Sequence, residues 1–594
     1  MREIALLIPP LLPLCLLALA LTFPLLQRLF PRAVTALSQT SFPIAPLGLG
    51  LAILSFLVLL LSLWATGRSH PNLIGGLLPW NDAAGYFYGA NALLDSGEFT
   101  SWSQRRPIYT SLLAGFLSLT GRDFQLALLV QGTFAGAIAF FVARTASLKL
   151  GIAAGFLVFA LLFSFAQEHA PLTMTENAGF FFGALGIAFL WLGAEKPHAG
   201  WFAAAGLFLT FGLLARAGAF FVIPLLFLAI GFAYRDQWRV ALRYALGFLT
   251  GAGLAVLLNQ AMYWFAGDNT NMPNANFSYV LYGLAAGGKG WQQIYVDHPT
   301  IFHGGEGIVA KTIYALAFER IVENPFDFLA AYAQKLPHSI LVLFDYLPSF
   351  FHVRRLFAVF WLVGLFVAFR NRREPYALFL LAAAAGVVLS GPFLADVGSR
   401  IYAATITLDA LLAGLGFSAI VAWLEKATPQ ETSISNTETG LPAQLIGTAA
   451  ILFGLTFSGV FLFPNPTAKA LPKLTCNQTE IPIMLRLGSE SSLIALRAKP
   501  SFTLFPPQVS HGDFAGLLPP GTHLREKLGQ LPPETTLIYG YAKKTMGRGK
   551  PVWIAWRTET LPERGSLLGF CLKPGHHPLL GEDFREPASV RVLE

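Results

Sequence analysis

The feature that most constrains this chain is a succession of apolar runs, each near the length of a bilayer crossing, through its first 463 residues. Hydrocarbon offers the backbone no water, so such runs must fold as helices that satisfy their own N–H and C=O groups. About 20 apolar residues suffice for one crossing. Runs at 4–30, 44–64, 123–143, 151–167, 177–194, 200–214, 218–234, 240–263, 356–369, 376–394, 401–423 and 441–463 predict about twelve spans. Composition agrees. The 594 residues are 54% hydrophobic and 12% charged, where soluble domains carry about 25% charge. The expected fold class is an α-helical polytopic membrane protein.

The first run is interrupted by Pro9, Pro10, Pro13 and Pro24, and Ala18-Leu19-Ala20 imitates a signal cleavage site. The apolar character continues through Leu26, so the run reads as an uncleaved span. Basic residues gather at alternate ends of the runs: Arg28 with Arg32, Arg144 with Lys149, Arg235 with Arg239 and Arg243, and Arg370 with Arg372 and Arg373. The positive-inside rule assigns these ends to the cytoplasm. The loop at 65–122, the region at 267–355 and residues 464–594 then lie outside. A multi-pass protein of the cell membrane, in a bacterium the inner membrane, is expected. The net charge of +8 is scattered among loops, which argues against a nucleic-acid stripe and suits anionic lipid headgroups or a phosphate-bearing substrate.

Shorter segments complete the division. Residues 107–119 are too short for a span and predict an interfacial helix, and 326–351 predict more of the same. Residues 425–440 form a polar inner linker. The chain divides into a membrane module, 1–463, and a domain at 464–594 of ordinary polarity. Alternation at 535–541, 551–556 and 589–593 predicts strands, hence a small extracytoplasmic α+β or β-rich domain. Cys476 and Cys571 lie in it and form a candidate disulfide in an oxidising compartment. A metal reading of Cys571 with His576 and His577 lacks a second ligand pair at zinc spacing. Asn276-Phe-Ser and Asn477-Gln-Thr match the glycosylation sequon. Gly132/Gly136, Gly151/Gly155, Gly179/Gly183 and Gly247/Gly251 have the spacing that lets helices pack closely in lipid, a structural role.

Between the second and third spans lies a polar, aromatic-rich stretch, 80–107. It holds Asn81, Asp82, Tyr86, Tyr88, Arg105 and Arg106. Asn81 or Asp82 can cap a helix running to about Asp95, with Gly97 ending it. Asp82 and Tyr86 are four apart and share a face. Ala90, Leu93 and Leu94 continue the side expected on the membrane surface. Asp82 therefore has two readings, a cap and a catalytic acid.

The order Asp82, Gly85-Tyr86, Ala90, Gly97-Glu98-Phe99, Arg106-Pro107, Tyr109, Leu112-Leu113 resembles the first outer loop of the C-type (GT-C) glycosyltransferases. The branch it resembles contains the protein O-mannosyltransferases and the lipid A aminoarabinose transferase. The resemblance covers residues 80–216, with an echo at Arg400. This chain has Arg105-Arg106-Pro107-Ile108-Tyr109 where the family often has a double proline. The resemblance implies a membrane glycosyltransferase moving a hexosyl or pentosyl group from a polyprenyl-phosphate sugar, with inversion, to an acceptor hydroxyl on a glycan, lipid or protein. It implies Asp82 as general base and Glu176 as a second acid that orients the acceptor or Asp82. Arg216, in Leu-Leu-Ala-Arg-Ala, and Arg400 with Tyr402, in Gly-Ser-Arg-Ile-Tyr, match recurrent elements that would hold the phosphate. Tyr86, Arg105, Arg106 and Lys289 are further substrate-binding candidates. Arginine and lysine suit this role because the leaving phosphate gains charge. A divalent metal is compatible with the resemblance, since the wider superfamily contains both users and non-users of one. The competing class is a lipid-linked-sugar flippase or other transporter. Such proteins place charged groups near the midplane, whereas the charged candidates here gather at one face and the span centres are nearly free of acids and bases.

Overall fold

The computed structural model describes residues 2–29, 44–66, 72–74, 78–79, 81–267, 272–303, 305–347, 353–394, 398–424, 440–464, 472–486, 492–497, 531–532, 535–541, 551–558, 562, 566–575, 577–578 and 584–593. Two helices open the chain, α1 (Arg2–Leu29) and α2 (Ile44–Thr66). A two-residue hairpin, β1 (Leu73–Ile74) with β2 (Leu78–Pro79), leads to α3 (Asn81–Ser96). Then follow α4 (Pro107–Leu119), α5 (Phe124–Leu150), α6 (Ile152–His169), α7 (Thr175–Glu195), α8 (Ala199–Ala215), α9 (Val222–Ala233) and α10 (Trp238–Ala266). Four shorter helices fill the long region after α10: α11 (Phe277–Ala285), α12 (Gln293–Asp297), α13 (Glu306–Glu323) and α14 (Pro325–Leu341). The helical part closes with α15 (Val353–Arg370), α16 (Pro375–Ser390), α17 (Ile406–Leu424) and α18 (Gly440–Phe461).

Each expected span holds a helix. Among the described residues nine helices are long and apolar enough to cross a membrane. Of the remaining three, α8 and α9 are apolar but shorter, and α15 carries arginine at both ends. The molecule is a multi-pass membrane protein. One apolar core runs through the helices and takes in Leu531, Trp553 and Ala555 from the C-terminal part.

Three local expectations are corrected. The helix α4 is not interfacial: eleven of its thirteen residues are buried. It is too short to cross alone, and α18 covers it, with Gly115 against Leu455 and Gly459 against Ser111 at backbone contact. On α3, Ala90, Leu93 and Leu94 face the protein core and not the membrane surface. Finally, the span at 401–423 is not free of acids. Asp409, on α17, is fully buried and accepts a 2.9 Å hydrogen bond from the Trp361 indole.

The C-terminal part carries β3 (Ile481–Arg486), β4 (Ser492–Arg497), β5 (Thr535–Tyr541), β6 (Pro551–Arg557), β7 (Leu567–Leu572), β8 (Phe584–Arg585) and β9 (Pro587–Val592). They form two sheets, β3-β7-β9 and β4-β5-β6-β8. All pairs are antiparallel except β6 with β8. A disulfide joins Cys476, just before β3, to Cys571 in β7, with Cα atoms 5.5 Å apart.

Candidate active site

Asn81 begins α3 with a left-handed backbone, φ 48°. Asp82 is thereby placed inside the first turn, where a negative charge is favoured by the helix dipole. Among the described residues its carboxylate has no partner within its own helix. It accepts instead from Arg400 Nη2, at 3.3 Å, across 318 residues of sequence. Gly97 ends α3 at φ 75°, its N–H on Leu93 O, a left-handed position that glycine takes without a Cβ clash.

Glu176 sits in the first turn of α7 and is completely buried. Its Oε1 accepts from Arg400 Nε at 2.7 Å and lies 3.5 Å from Arg216 Nε. Its Oε2 accepts from the Thr175 hydroxyl at 3.2 Å. Arg216 ends α8, with its amide on Gly212 O. Arg400 lies on the 3-10 turn Ser399–Tyr402 that leads into α17. Glycine makes this convergence possible. A Cβ on Gly179 would meet the Arg216 side chain and Ala403, and one on Gly183 would enter the Ala404 backbone. The Gly179/Gly183 pair is thus more than general packing: it lets the segments carrying Arg216 and Arg400 close onto the helix carrying Glu176.

Exposure grades the four groups. The Asp82 side chain is 40% exposed, Arg400 30%, Arg216 11% and Glu176 0%. Arg400 is anchored at depth through Nε and turns a terminal nitrogen toward the rim. Burial pulls its pKa down, but the Glu176 and Asp82 carboxylates outweigh this and push it above the ordinary arginine value. The arrangement offers one accessible carboxylate beside cations held in place by a second, inaccessible one.

The other candidates divide. Tyr86 is buried one turn below Asp82, edge-on to Trp102 and Tyr109. Burial pushes its phenol pKa up. Arg105 lies 4.1 Å over the Trp102 ring and pairs with Glu306 on α13. Arg106 is buried and donates to the side-chain oxygens of Asn274 and Asn276; burial lowers its pKa to about 10. Both arginines therefore tie the first loop to the region after α10. The amide of the Asn276 sequon is engaged by the same contact. Lys289 is exposed on the turn after α11, near Asp297. Tyr402 is buried, and its hydroxyl donates to Ser339 O at 3.0 Å. Trp102, Glu306 and Asn274 were not singled out from the sequence.

The residues do not fit a divalent cation at Asp82 and Glu176. A magnesium or calcium ion needs six or more oxygen ligands. Here the Arg400 guanidinium bridges the two carboxylates, and Arg216 stands on the same Glu176 oxygen. Among the described residues, Cys476, Glu480 and Cys571 are the one group of potential ligands lying close together, and the two sulfurs are bonded to each other.

No protein-family model matches the chain, and no curated protein matches it either. Among solved structures it is similar to the Archaeoglobus fulgidus oligosaccharyltransferase in complex with Zn and sulfate. The identity is 12%, over 72% of this chain and 54% of that one, with a TM-score of 0.34. The chain thus spans about half the length of that protein. It is also similar to ArnT from Cupriavidus metallidurans bound to undecaprenyl phosphate. Here the identity is 14%, over 67% of this chain and 88% of that one, with a TM-score of 0.28.

Proposed function

We propose that the chain is a membrane glycosyltransferase that moves a sugar from a polyprenyl-phosphate donor to an acceptor hydroxyl at the outer membrane face, with inversion. The observation that carries this reading is the meeting of Asp82, Glu176, Arg216 and Arg400, from four separate elements, in one graded cluster. The order of motifs at 80–216 supports the same reading, and the positive-inside rule supports the outer location.

In this reading Asp82 takes the proton of the acceptor hydroxyl as general base. The freed oxygen pair attacks the anomeric carbon from the face opposite the phosphate. The anomeric carbon–oxygen bond breaks, and polyprenyl phosphate leaves with that electron pair. Arg400 and Arg216 receive the new charge on the phosphate. Glu176 touches neither reactant; it holds both guanidinium groups. The prenyl tail stays among lipid while the sugar reaches the loops.

Membranes containing the full chain, supplied with radiolabelled polyprenyl-phosphate hexoses and pentoses, test the reading. The expected result is a labelled glycoside absent with Asp82→Asn. Movement of the labelled lipid across the bilayer with no glycoside in either form would establish the flippase instead. Asp409 is the observation on the flippase side, since acids inside spans often mark transport paths; its contact with Trp361 and full burial fit packing better.

A further inference from the structure

We propose that Arg400 holds the place a divalent cation would take between Asp82 and Glu176, so that transfer at this site runs on a guanidinium and needs no metal ion. The inference rests on the transferase reading above. Two carboxylates from distant elements facing a phosphate-binding site are an ordinary donor pair for a hard cation. Here that position is filled by protein. Arg400 contacts Glu176 through Nε at 2.7 Å and Asp82 through Nη2 at 3.3 Å.

The surroundings oppose a metal on three counts. Both oxygens of Glu176 are already engaged, by Arg400 with Arg216 and by Thr175. Glu176 is fully enclosed, whereas a magnesium ion keeps several of its waters and needs room for them. A dication would also sit beside Arg400 and Arg216, an arrangement of like charges. The same features suit arginine. Its charge persists at every working pH, and its planar fork matches phosphate oxygens in pairs. Anchoring through Nε leaves the terminal nitrogens toward Asp82 and the exposed rim. The tight contact lies on the buried acid and the looser one on the accessible acid, so the guanidinium can turn to the departing phosphate without leaving its anchor.

Two measurements on the full-length chain in detergent or nanodiscs test this. The first is Mn²⁺ binding followed by electron paramagnetic resonance. The expected result is no retained Mn²⁺ whose signal depends on Asp82; one bound equivalent that disappears in Asp82→Asn would overturn the proposal. The second is sugar transfer in excess EDTA, together with Arg400→Gly. Activity is expected to survive EDTA, to fall about 100-fold in Arg400→Gly, and to be partly restored by ethylguanidine but not by Mg²⁺ or Mn²⁺. Loss of wild-type transfer in EDTA with recovery on Mn²⁺ would overturn the proposal and leave the transferase reading intact. No glycoside under any condition would instead overturn the transferase reading, and the Mn²⁺ spectra would still decide whether a cation binds between the two acids.

Discussion

Asp82 and Asp297 have similar company and different circumstances. Each has an arginine in contact and a tyrosine close by. Asp297 accepts from the Tyr282 hydroxyl at 2.8 Å, Gln293 at 2.7 Å and Arg320 at 3.0 Å, and Arg320 also lies over the Tyr282 ring. Among the described residues Asp82 has a single hydrogen-bond partner, at 3.3 Å, and nearly twice the exposure, 40% against 21%. The first acid is used up by its neighbours and braces α11, α12 and α13 against one another. The second is left with lone pairs to offer. Residue type and local charge do not separate the two acids; the fraction of hydrogen-bonding capacity already engaged does.

The comparison can be broken most directly at Asp82. Replacing it with Asn is expected to lower sugar transfer by about 10³-fold, within the range for removal of a general base, while thermal unfolding stays unchanged. Retained transfer would erase the distinction. Glu176→Gln comes next. It removes the anion beneath two guanidinium groups, so the folded state should lose about 3–5 kcal/mol, read as a lower unfolding midpoint, and transfer should fall with it. Asp297→Asn sharpens the comparison from the other side. It should destabilise the fold by about 1 kcal/mol, because the contacts are partly exposed, and leave transfer rates intact at low temperature. Burial raises the Asp297 pKa, but the Tyr282 and Gln293 hydrogen bonds and the Arg320 charge outweigh it and hold the carboxyl below the usual range. Its stabilisation is thus present above about pH 4 and lost as the pH falls through the lowered value. The gap between wild type and Asp297→Asn should therefore close in acid. The smallest effect is expected for Lys289→Ala, which should leave transfer unchanged in the radiolabel assay.

Much of this was legible in the residues. The twelve apolar runs each became a helix, because burying backbone in lipid leaves few alternatives. The Asp82, Glu176, Arg216 and Arg400 candidates were readable through the family resemblance of the motif order at 80–216 and at Arg400. What the sequence concealed was partnership. Nothing in Arg105-Arg106 reveals that one meets Glu306 and the other Asn274, because those contacts depend on how two distant loops fold together. The burial of α4 was hidden for the same reason: a 13-residue apolar helix looks interfacial until a later helix is known to cover it. Asp409 escaped notice because one acid hardly disturbs a long apolar run. Of the C-terminal strands, β5, β6 and β9 alternate clearly, whereas β7 is buried at every position and shows no period of two.

The contact of α18 with α4 has a consequence for the order of events in biogenesis. The helix that follows Arg106 is covered by α18, the last of the described helices, with glycines on both sides admitting backbone to backbone. The first loop is translated early but cannot reach its final seat until α18 has been made. A nascent chain stalled before residue 440 would hold all four charged groups and still lack the helix that covers α4.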